Sequence, residues 1–333
     1  MPSAAVPPLA ATRGGVNVLV VPTNRTDRLH EFLDAWKPWP WDRILVIEDG
    51  PRATIEESEE TVEVFSWAEI DAELPEPWII SCRDSGIRAY GFWKAWRLGA
   101  DCIFTLDDDC HPGADDLVAE HLRNLHETPA WQSTVPGLRV RGLPYRNLGG
   151  PLPVAVSVGL WAGYPDLDAV QALANHVPEA AGNLVTGVRS RVMPLEQYFP
   201  MSGMNLAVRR DAACLMYFPP MGLDSPYGRF DDIWCGLAVQ RICRHLRRPI
   251  VCGRPLVEHR RASDPFDNLV KEAPGIATNE RIWEQIEAVE LRGDTPSECM
   301  RELGADLLAS ADGDAYVARW GQAIQHWCDL FVE

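Results

Sequence analysis

Three consecutive aspartates, Asp107, Asp108 and Asp109, directly follow the apolar run at 102–106. Carboxylates this close repel one another, so such a cluster usually needs a cation. Carboxylate oxygens suit Mn²⁺ or Mg²⁺ better than they suit zinc. A divalent ion at this point would bridge two phosphate oxygens and stabilise a departing diphosphate. A solvated acidic turn is the competing interpretation, and the apolar strand in front of the triplet favours the metal.

Other side chains could complete such a site. An aspartate cluster rarely fills a metal shell, and His259 is the candidate for the missing ligand, with His111 as a competitor. A lone histidine is more often a surface or hydrogen-bonded residue. Arg88 is the best placed cation for neutralising a phosphate. The other candidate cations are Arg83, Arg260, Arg261 and Lys271.

Two further features each allow a structural and a functional interpretation. Asp231 and Asp232 stand where a helical pattern begins. Aspartates at that position can simply cap the helix, or they can have a catalytic or sugar-binding role. Trp161 and Trp234 could stack on a sugar or a base, although core packing is the commoner role of tryptophan. The residues alone leave both questions open.

The elements that must position these residues follow an alternating pattern. Apolar runs alternate with helical patterns up to about residue 110, which predicts an α/β fold with a mostly parallel sheet flanked by helices. The predicted strands are 16–21, 43–47, 61–65, 78–82 and 102–106, and the helices include 85–98 and 231–247. Ligands of such sheets bind beyond the carboxyl ends of the strands. Thr23, Asn24 and Asp49 stand at such ends, as the aspartate triplet does.

The domain organisation predicted from the sequence has three parts. Residues 1–15 are rich in alanine and proline and predict a disordered leader without a signal peptide. Residues 16–277 form the α/β domain, in which 256–268 is expected to be irregular. Residues 278–333 are a helical extension packed on the body. Its apolar stripe comprises Val317, Trp320, Ile324, Trp327 and Leu330.

Composition excludes several classes of partner. The formal net charge is −17, which argues against nucleic acid and against an anionic membrane surface. No apolar stretch reaches membrane-spanning length, so we expect no membrane insertion. The nine cysteines are scattered without zinc spacing, which predicts free thiols in a reducing cytoplasm. The tail helices and 13 tryptophans permit a homo-oligomer without demonstrating one.

Several segments, in order, resemble the reversibly glycosylated polypeptide family of plants. The resemblance covers about 16 to 277, and five moderately specific motifs in one order rarely arise by chance. The motifs are Asp107-Asp108-Asp109-Cys110, Ser157-Val158-Gly159-Leu160-Trp161, Phe199-Pro200-Met201-Ser202-Gly203-Met204-Asn205, Arg229-Phe230-Asp231-Asp232 and His259-Arg260-Arg261-Ala262-Ser263.

This resemblance implies a GT-A-type fold, a UDP-sugar substrate with a pentose favoured, and Mn²⁺ or Mg²⁺ as cofactor. Plant members interconvert UDP-L-arabinopyranose and UDP-L-arabinofuranose and glycosylate themselves on an arginine. The implied metal ligands are Asp107, Asp109 and His259. Together with the residues singled out above, the candidate nucleotide-sugar contacts are Thr23, Asn24, Asp49, Arg88, Asp107, Asp108, Trp161, Met204 and Asn205. The candidate catalytic residues are Asp231, Asp232 and Arg146.

The chain departs from the family pattern around that arginine. Arg141-Gly142-Leu143-Pro144 is present, but no Arg-Glu-Gly follows, and Arg146 is out of register. Three functions therefore stay open. The first is a UDP-sugar mutase, the second is a glycosyltransferase with a separate small-molecule acceptor, and the third is a non-enzymatic nucleotide-sugar-binding protein.

Overall fold

The computed structural model of the chain describes residues 15–56, 59–113, 116–135, 138, 140–142, 144–146, 149–174, 188–223, 225–260 and 263–332. The predicted leader lies outside these ranges except for Gly15.

A mixed nine-stranded sheet forms the centre of the protein. Its strands are β1 (Asn17–Thr23), β2 (Arg43–Glu48), β3 (Val62–Phe65), β4 (Cys102–Leu106), β5 (Cys110–Pro112), β6 (Val156–Gly163), β7 (Arg191–Val192), β8 (Asn205–Arg209) and β9 (Ile250–His259). The order is β3-β2-β1-β4-β8-β6-β9-β5, and β7 pairs with β9. The strands β1, β2, β3, β4, β6 and β9 run in one direction, and β5, β7 and β8 oppose them. The prediction of an α/β fold with a mixed, mostly parallel sheet is confirmed.

Helices cover both faces of this sheet. They are α1 (Thr26–Trp36), α2 (Trp67–Glu73), α3 (Arg88–Arg97), α4 (Leu117–His126), α5 (Ala169–Ala174), α6 (Asp231–His245), α7 (Pro265–Ala288), α8 (Pro296–Ala309) and α9 (Ala315–Asp329). Successive side chains of a strand point to opposite faces, so Val18 and Val20 pack with α3 while Leu19 and Val21 pack with α1 and α4. Burial on both faces explains why β1 is a continuous apolar run.

Two predicted segments are wrong. The strand predicted at 78–82 is a 3-10 turn, Pro77–Ile79, because Pro77 fixes its own backbone angle and lacks an N–H for a sheet. The segment predicted as irregular at 256–268 instead contains the end of β9 and the start of α7. In β9 buried and partly buried residues alternate over most of its length, so one side of the strand faces the core and its polar residues do not break it.

The predicted helices are present, with shifted ends. The helix predicted at 85–98 begins with a 3-10 turn, Ser85–Ile87, which the Asp84 side chain caps by accepting from the Gly86 N–H. The regular part then runs from Arg88 to Arg97. The helix predicted at 231–247 ends at His245.

The C-terminal helices pack on the α/β body through buried tryptophans. Trp320 and Trp327 of α9 are buried, and the Trp327 indole N–H donates to the Cys214 carbonyl at 2.7 Å. The predicted boundary between 277 and 278 falls inside α7, which continues through Pro274 as one helix. Among the described helices, none is long and apolar enough to cross a bilayer.

Candidate functional site

A cavity of about 730 Å³ opens at the carboxyl ends of β1, β2 and β4. Parallel strands bring their carboxyl ends to one edge of a sheet, which is why the predicted polar clusters meet there. The predicted site residues that line it are Thr23, Asn24, Asp49, Arg88, Asp107, Asp108, Asp109, Met204, Asp231, Asp232 and His259.

The three aspartates of the triplet have different partners. Asp108 is buried and accepts from the Thr23 hydroxyl at 2.6 Å and from the Arg25 Nε at 3.2 Å. The Arg25 Nη2 also contacts its other oxygen. Asp108 is therefore held by protein groups on both oxygens.

Asp107 is paired with a buried arginine. The Arg88 side chain is 2% exposed and donates from Nη2 to Asp107 Oδ1 at 2.6 Å. Further Arg88 donors reach the Ser85 and Gly203 carbonyls. Burial alone would raise the pKa of Asp107, but the charge and hydrogen bond of Arg88, together with nearby His259 and Arg25, outweigh burial and lower that pKa. Asp107 stays ionised, and its partly exposed carboxylate faces the cavity.

Asp109 has the free acceptor of the triplet. Its Oδ1 atom is buried and has no hydrogen-bond partner among the described residues. The Nε2 atom of His259 lies 3.7 Å from it, because β5 pairs with β9 and sets Cys110 opposite His259. Burial and the charge of Asp107 raise the pKa of Asp109. A buried acceptor without a donor points to a ligand that binds there.

The ring of His259 is oriented so that it could ligate a divalent cation beside Asp109. Its Nδ1 lies 2.9 Å from the Tyr164 carbonyl, which can only accept, so Nδ1 carries a proton and Nε2 is the nitrogen that the neutral ring would offer to a cation. Asp109 Oδ1 and His259 Nε2 are two atoms close enough to share Mn²⁺ or Mg²⁺. Among the described residues, no group of three or more acidic, histidine or cysteine side chains is placed to hold a metal ion. The remaining ligands would have to come from substrate or water.

Two carboxylates, the buried Asp231 and the half-buried Asp232, form the opposite wall at the start of α6. Asp231 accepts from the Ser85 hydroxyl at 2.7 Å rather than capping its own helix. Asp232 accepts from the Gly203 N–H at 3.3 Å and from the Ile233 N–H at 2.8 Å. Burial, and then the charge of Asp231, raise the pKa of Asp232 to about 7. Asp232 therefore changes charge near neutral pH.

Asp49 forms the wall at the end of β2. Its Oδ1 accepts from the Trp67 indole N–H at 2.8 Å and from the Arg83 N–H at 2.9 Å. Arg83 has a positive φ of 65°, and its guanidinium lies 6.0 Å from the Trp67 ring centroid. Burial raises the pKa of Asp49.

Three predicted site residues do not line the cavity. Asn205 is buried behind it, where its side chain contacts His121 and donates to the Leu160 carbonyl at 3.1 Å. In β8 the side chain at 205 points away from the cavity floor that Met204 supplies. Trp161 is half-buried on β6 and packs against the core cluster of α1 and α4. Arg146 is exposed and is absent from the cavity wall.

Sequence reasoning missed several residues of the wall. Arg25 contacts two of the three aspartates, and its position beside Thr23 and Asn24 was the available signal. Asp166 accepts from the Ser202 hydroxyl at 2.5 Å, and no sequence pattern indicated this contact. Arg229 also lines the cavity and pairs with the buried Glu272 at 2.9 Å.

Comparison with known proteins places the chain in a family. The sequence matches the reversibly glycosylated polypeptide family over residues 13–333. The chain belongs to that family. The match extends past 277, so the C-terminal helices are part of the family domain.

Named relatives cover almost the whole chain. Probable UDP-arabinopyranose mutase 1 of Solanum tuberosum is 34% identical over 95% of this chain and 90% of its own length. UDP-arabinopyranose mutase 1 of Oryza sativa subsp. japonica is 33% identical over 100% and 94%. The Arabidopsis thaliana protein of the same name is 33% identical over 95% and 92%. Among solved structures, a 4-diphosphocytidyl-2C-methyl-D-erythritol synthase of Anaerococcus prevotii matches with a TM-score of 0.36 and 9% identity, covering 78% of this chain and 97% of its own.

Proposed function

We propose that this protein is a UDP-sugar mutase that interconverts the pyranose and furanose forms of UDP-arabinose, with Mn²⁺ or Mg²⁺ as cofactor. The observation that carries the proposal is the buried Asp109 oxygen that faces His259 and has no hydrogen-bond partner among the described residues, in the cavity of a chain from this family. The names of the relatives support the mutase activity.

The cavity offers separate places for the parts of a UDP-sugar. Thr23, Asn24 and Asp49, at the ends of β1 and β2, would hold the nucleoside. The triplet would lie beside the diphosphate, and Asp231 and Asp232 would face the sugar. The first two groups stand at strand ends along the sheet edge, and the third is supplied by the start of α6.

Two cations are available for the diphosphate. Arg83 and Lys271 line the cavity, and neither makes an ion pair with a described residue. Arg25, Arg88 and Arg229 are already paired with carboxylates. When bound at Asp109 and His259, the divalent ion would add positive charge beside the departing diphosphate.

The reaction then needs proton transfer but no outside nucleophile. The bond between C1 and the diphosphate oxygen breaks, and its electron pair stays on the diphosphate. The C4 hydroxyl oxygen bonds to C1 and loses its proton, the bond between C1 and O5 breaks as O5 gains a proton, and the diphosphate bonds again to C1. One proton leaves O4 and one reaches O5, so the reaction has no net oxidation or proton change.

We assign this proton transfer to Asp232. Its pKa of about 7 lets it accept a proton from O4 and return one to O5 near neutral pH. Because the sugar's own hydroxyl closes the new ring, the reaction requires no glycosylated arginine. Arg146 outside the cavity is consistent with this route.

The altered segment around Arg146, which lacks the family's Arg-Glu-Gly, favours a second candidate, a glycosyltransferase with a separate small-molecule acceptor. Asp232 would then deprotonate the acceptor hydroxyl. The nine free thiols fit a reducing compartment, and we propose the cytoplasm for either function.

One experiment separates the two candidates. The purified protein is incubated with UDP-arabinopyranose and Mn²⁺, the products are resolved by chromatography, and the intact protein is weighed. A UDP-arabinofuranose peak with no added protein mass supports the mutase. Slow release of UDP without furanose supports the transferase, and sugar mass on the protein would indicate self-glycosylation.

A further inference from the structure

Arg25 lies across the carboxylates that the proposed cation would share. Its backbone N–H donates to the Thr23 hydroxyl at 3.1 Å, which fixes the residue just before α1. Its Nε and Nη2 contact Asp108, and its Nη1 lies 3.4 Å from Asp109 Oδ2. The guanidinium is therefore within ion-pair distance of the Asp109 carboxylate whose other oxygen faces His259.

The charges of the cluster are almost balanced by the protein itself. Three carboxylates face two guanidinium groups, Arg88 on Asp107 and Arg25 on Asp108 and Asp109. A divalent ion at Asp109 would thus add its charge to a cluster with little negative charge left and would lie close to the Arg25 cation. The described residues also supply no complete metal cage. Both facts disfavour binding of the ion alone.

A bound nucleotide diphosphate would change both the charge of the cluster and the number of metal ligands. It supplies oxygen ligands, and its negative charge offsets the added cation. It also offers Arg25 a second anionic partner, since the Arg25 side chain is about one-third exposed and lines the cavity. The planar guanidinium of arginine can donate to two oxygens of one phosphate at once.

We propose that Arg25 sets the affinity of the site for its cation: it weakens binding of the ion alone and so couples cation binding to nucleotide binding. This inference rests on the proposed metal-dependent function. Arg25 is a positioning residue here, because it acts through Asp108 and Asp109 rather than on the sugar.

The test is calorimetric titration of Mn²⁺ into the full-length protein, with and without UDP. Arg25→Gln should bind Mn²⁺ alone about tenfold more tightly than the wild type, which corresponds to about 1.4 kcal/mol at 25 °C. UDP should tighten Mn²⁺ binding less in Arg25→Gln than in the wild type. Arg25→Lys keeps the positive charge but lacks the planar guanidinium. Its affinity for Mn²⁺ should stay within about threefold of the wild-type value.

Arg28→Gln is the matched control. Arg28 lies on α1 near Arg25, is exposed and does not line the cavity, so its loss removes the same formal charge without touching the cluster. Its Mn²⁺ affinity should change less than twofold. Circular dichroism melting of each variant checks that it is folded.

The outcomes distinguish this inference from the function on which it rests. If Asp109→Asn abolishes Mn²⁺ binding while Arg25→Gln binds no more tightly than the wild type, the role of Arg25 is wrong and the metal site stands. If neither the wild type nor Arg25→Gln binds Mn²⁺, with or without UDP, the metal-dependent function fails and the inference fails with it. If Arg25→Gln binds Mn²⁺ tightly without UDP while the wild type does not, the inference is supported most strongly.

Discussion

At the residue scale, most of the polar side chains that line the cavity could be predicted from the sequence, but the hydrogen bonds and ion pairs between them could not. The triplet was recognisable because carboxylates directly after an apolar strand are unusual. Contacts such as Arg25 with Asp108 depend on side-chain directions across neighbouring strands, which no local pattern contains. Asn205 and Trp161 were assigned to the site from motif membership, whereas strand alternation turns Asn205 away and β6 pairing places Trp161 against the core.

Asp232 should control the acidic side of the pH profile. Its pKa of about 7 means that it is protonated below neutrality and ionised above it. As a proton acceptor it must be ionised, so kcat/KM should rise with pH through about 7 and level off above. Asp232→Asn should remove this rise and lower kcat about 10²- to 10⁴-fold.

The measurement is an initial-rate profile from pH 5.5 to about 9 on both proteins. Asp71→Asn is the control, since Asp71 is exposed on α2 and does not line the cavity. An unchanged rise in Asp232→Asn would assign the titration to another group and refute the role of Asp232.

At the element scale, parallel pairing of β1, β2 and β4 is what gathers the site, and the sequence predicted it well. These strands are buried on both faces, so they appear as continuous apolar runs. The strands β5 and β8, which run against the majority, and β9, which pairs with β5, were harder to predict, because their partners are distant in sequence and their polar residues resemble loops. His259 reaches Asp109 only through that β5–β9 pairing.

The close packing of α3 on the sheet gives a stability prediction. A Cβ at Gly91 would lie 2.3 Å from Val20 Cγ1 and 3.1 Å from Ile47 Cγ1. Gly91→Ala should lower the free energy of unfolding by about 1–3 kcal/mol, despite the better helix propensity of alanine.

Urea denaturation of both proteins measures this effect. Gly150→Ala is the control, because a Cβ at Gly150 meets nothing within 4 Å, and its free energy of unfolding should change by less than about 0.5 kcal/mol. A Gly91→Ala protein as stable as the wild type would show that α3 can shift away from β1 without cost.

At the scale of the whole molecule, the C-terminal helices belong to the same packed body as the α/β sheet. The sequence predicted, from the apolar stripe of α9, that they pack on the body. Trp320 and Trp327 of that stripe are buried. The boundary predicted at 278 could not show that α7 begins at Pro265, since its first turns look irregular and polar in sequence. A homo-oligomer stays a prediction.

Trp327 should be a major contributor to this packing. It is fully buried, contacts Tyr217 at a ring-centroid distance of 5.2 Å and donates to the Cys214 carbonyl. Trp327→Ala should therefore cost about 3–5 kcal/mol of stability. Because Trp327 does not line the cavity, kcat of the folded fraction should stay within about twofold of the wild type.

Thermal melting followed by an activity assay at low temperature measures both effects. Trp131→Ala is the control, because Trp131 is 44% exposed, and its melting temperature should barely change. A Trp327→Ala protein that melts like the wild type would mean that α9 adds little to the stability of the body.

We propose that the two UDP-arabinose ring forms interconvert only when Asp109 and His259 hold Mn²⁺ or Mg²⁺. The most direct test is the initial rate of UDP-arabinofuranose formation from UDP-arabinopyranose as Mn²⁺ is titrated after removal of metal with EDTA. The wild type should show no rate without metal and a saturable rate with it. Asp109→Asn should lose at least about 10²-fold of that rate at any Mn²⁺ concentration. Full activity of the EDTA-treated protein, or of Asp109→Asn, would contradict the account.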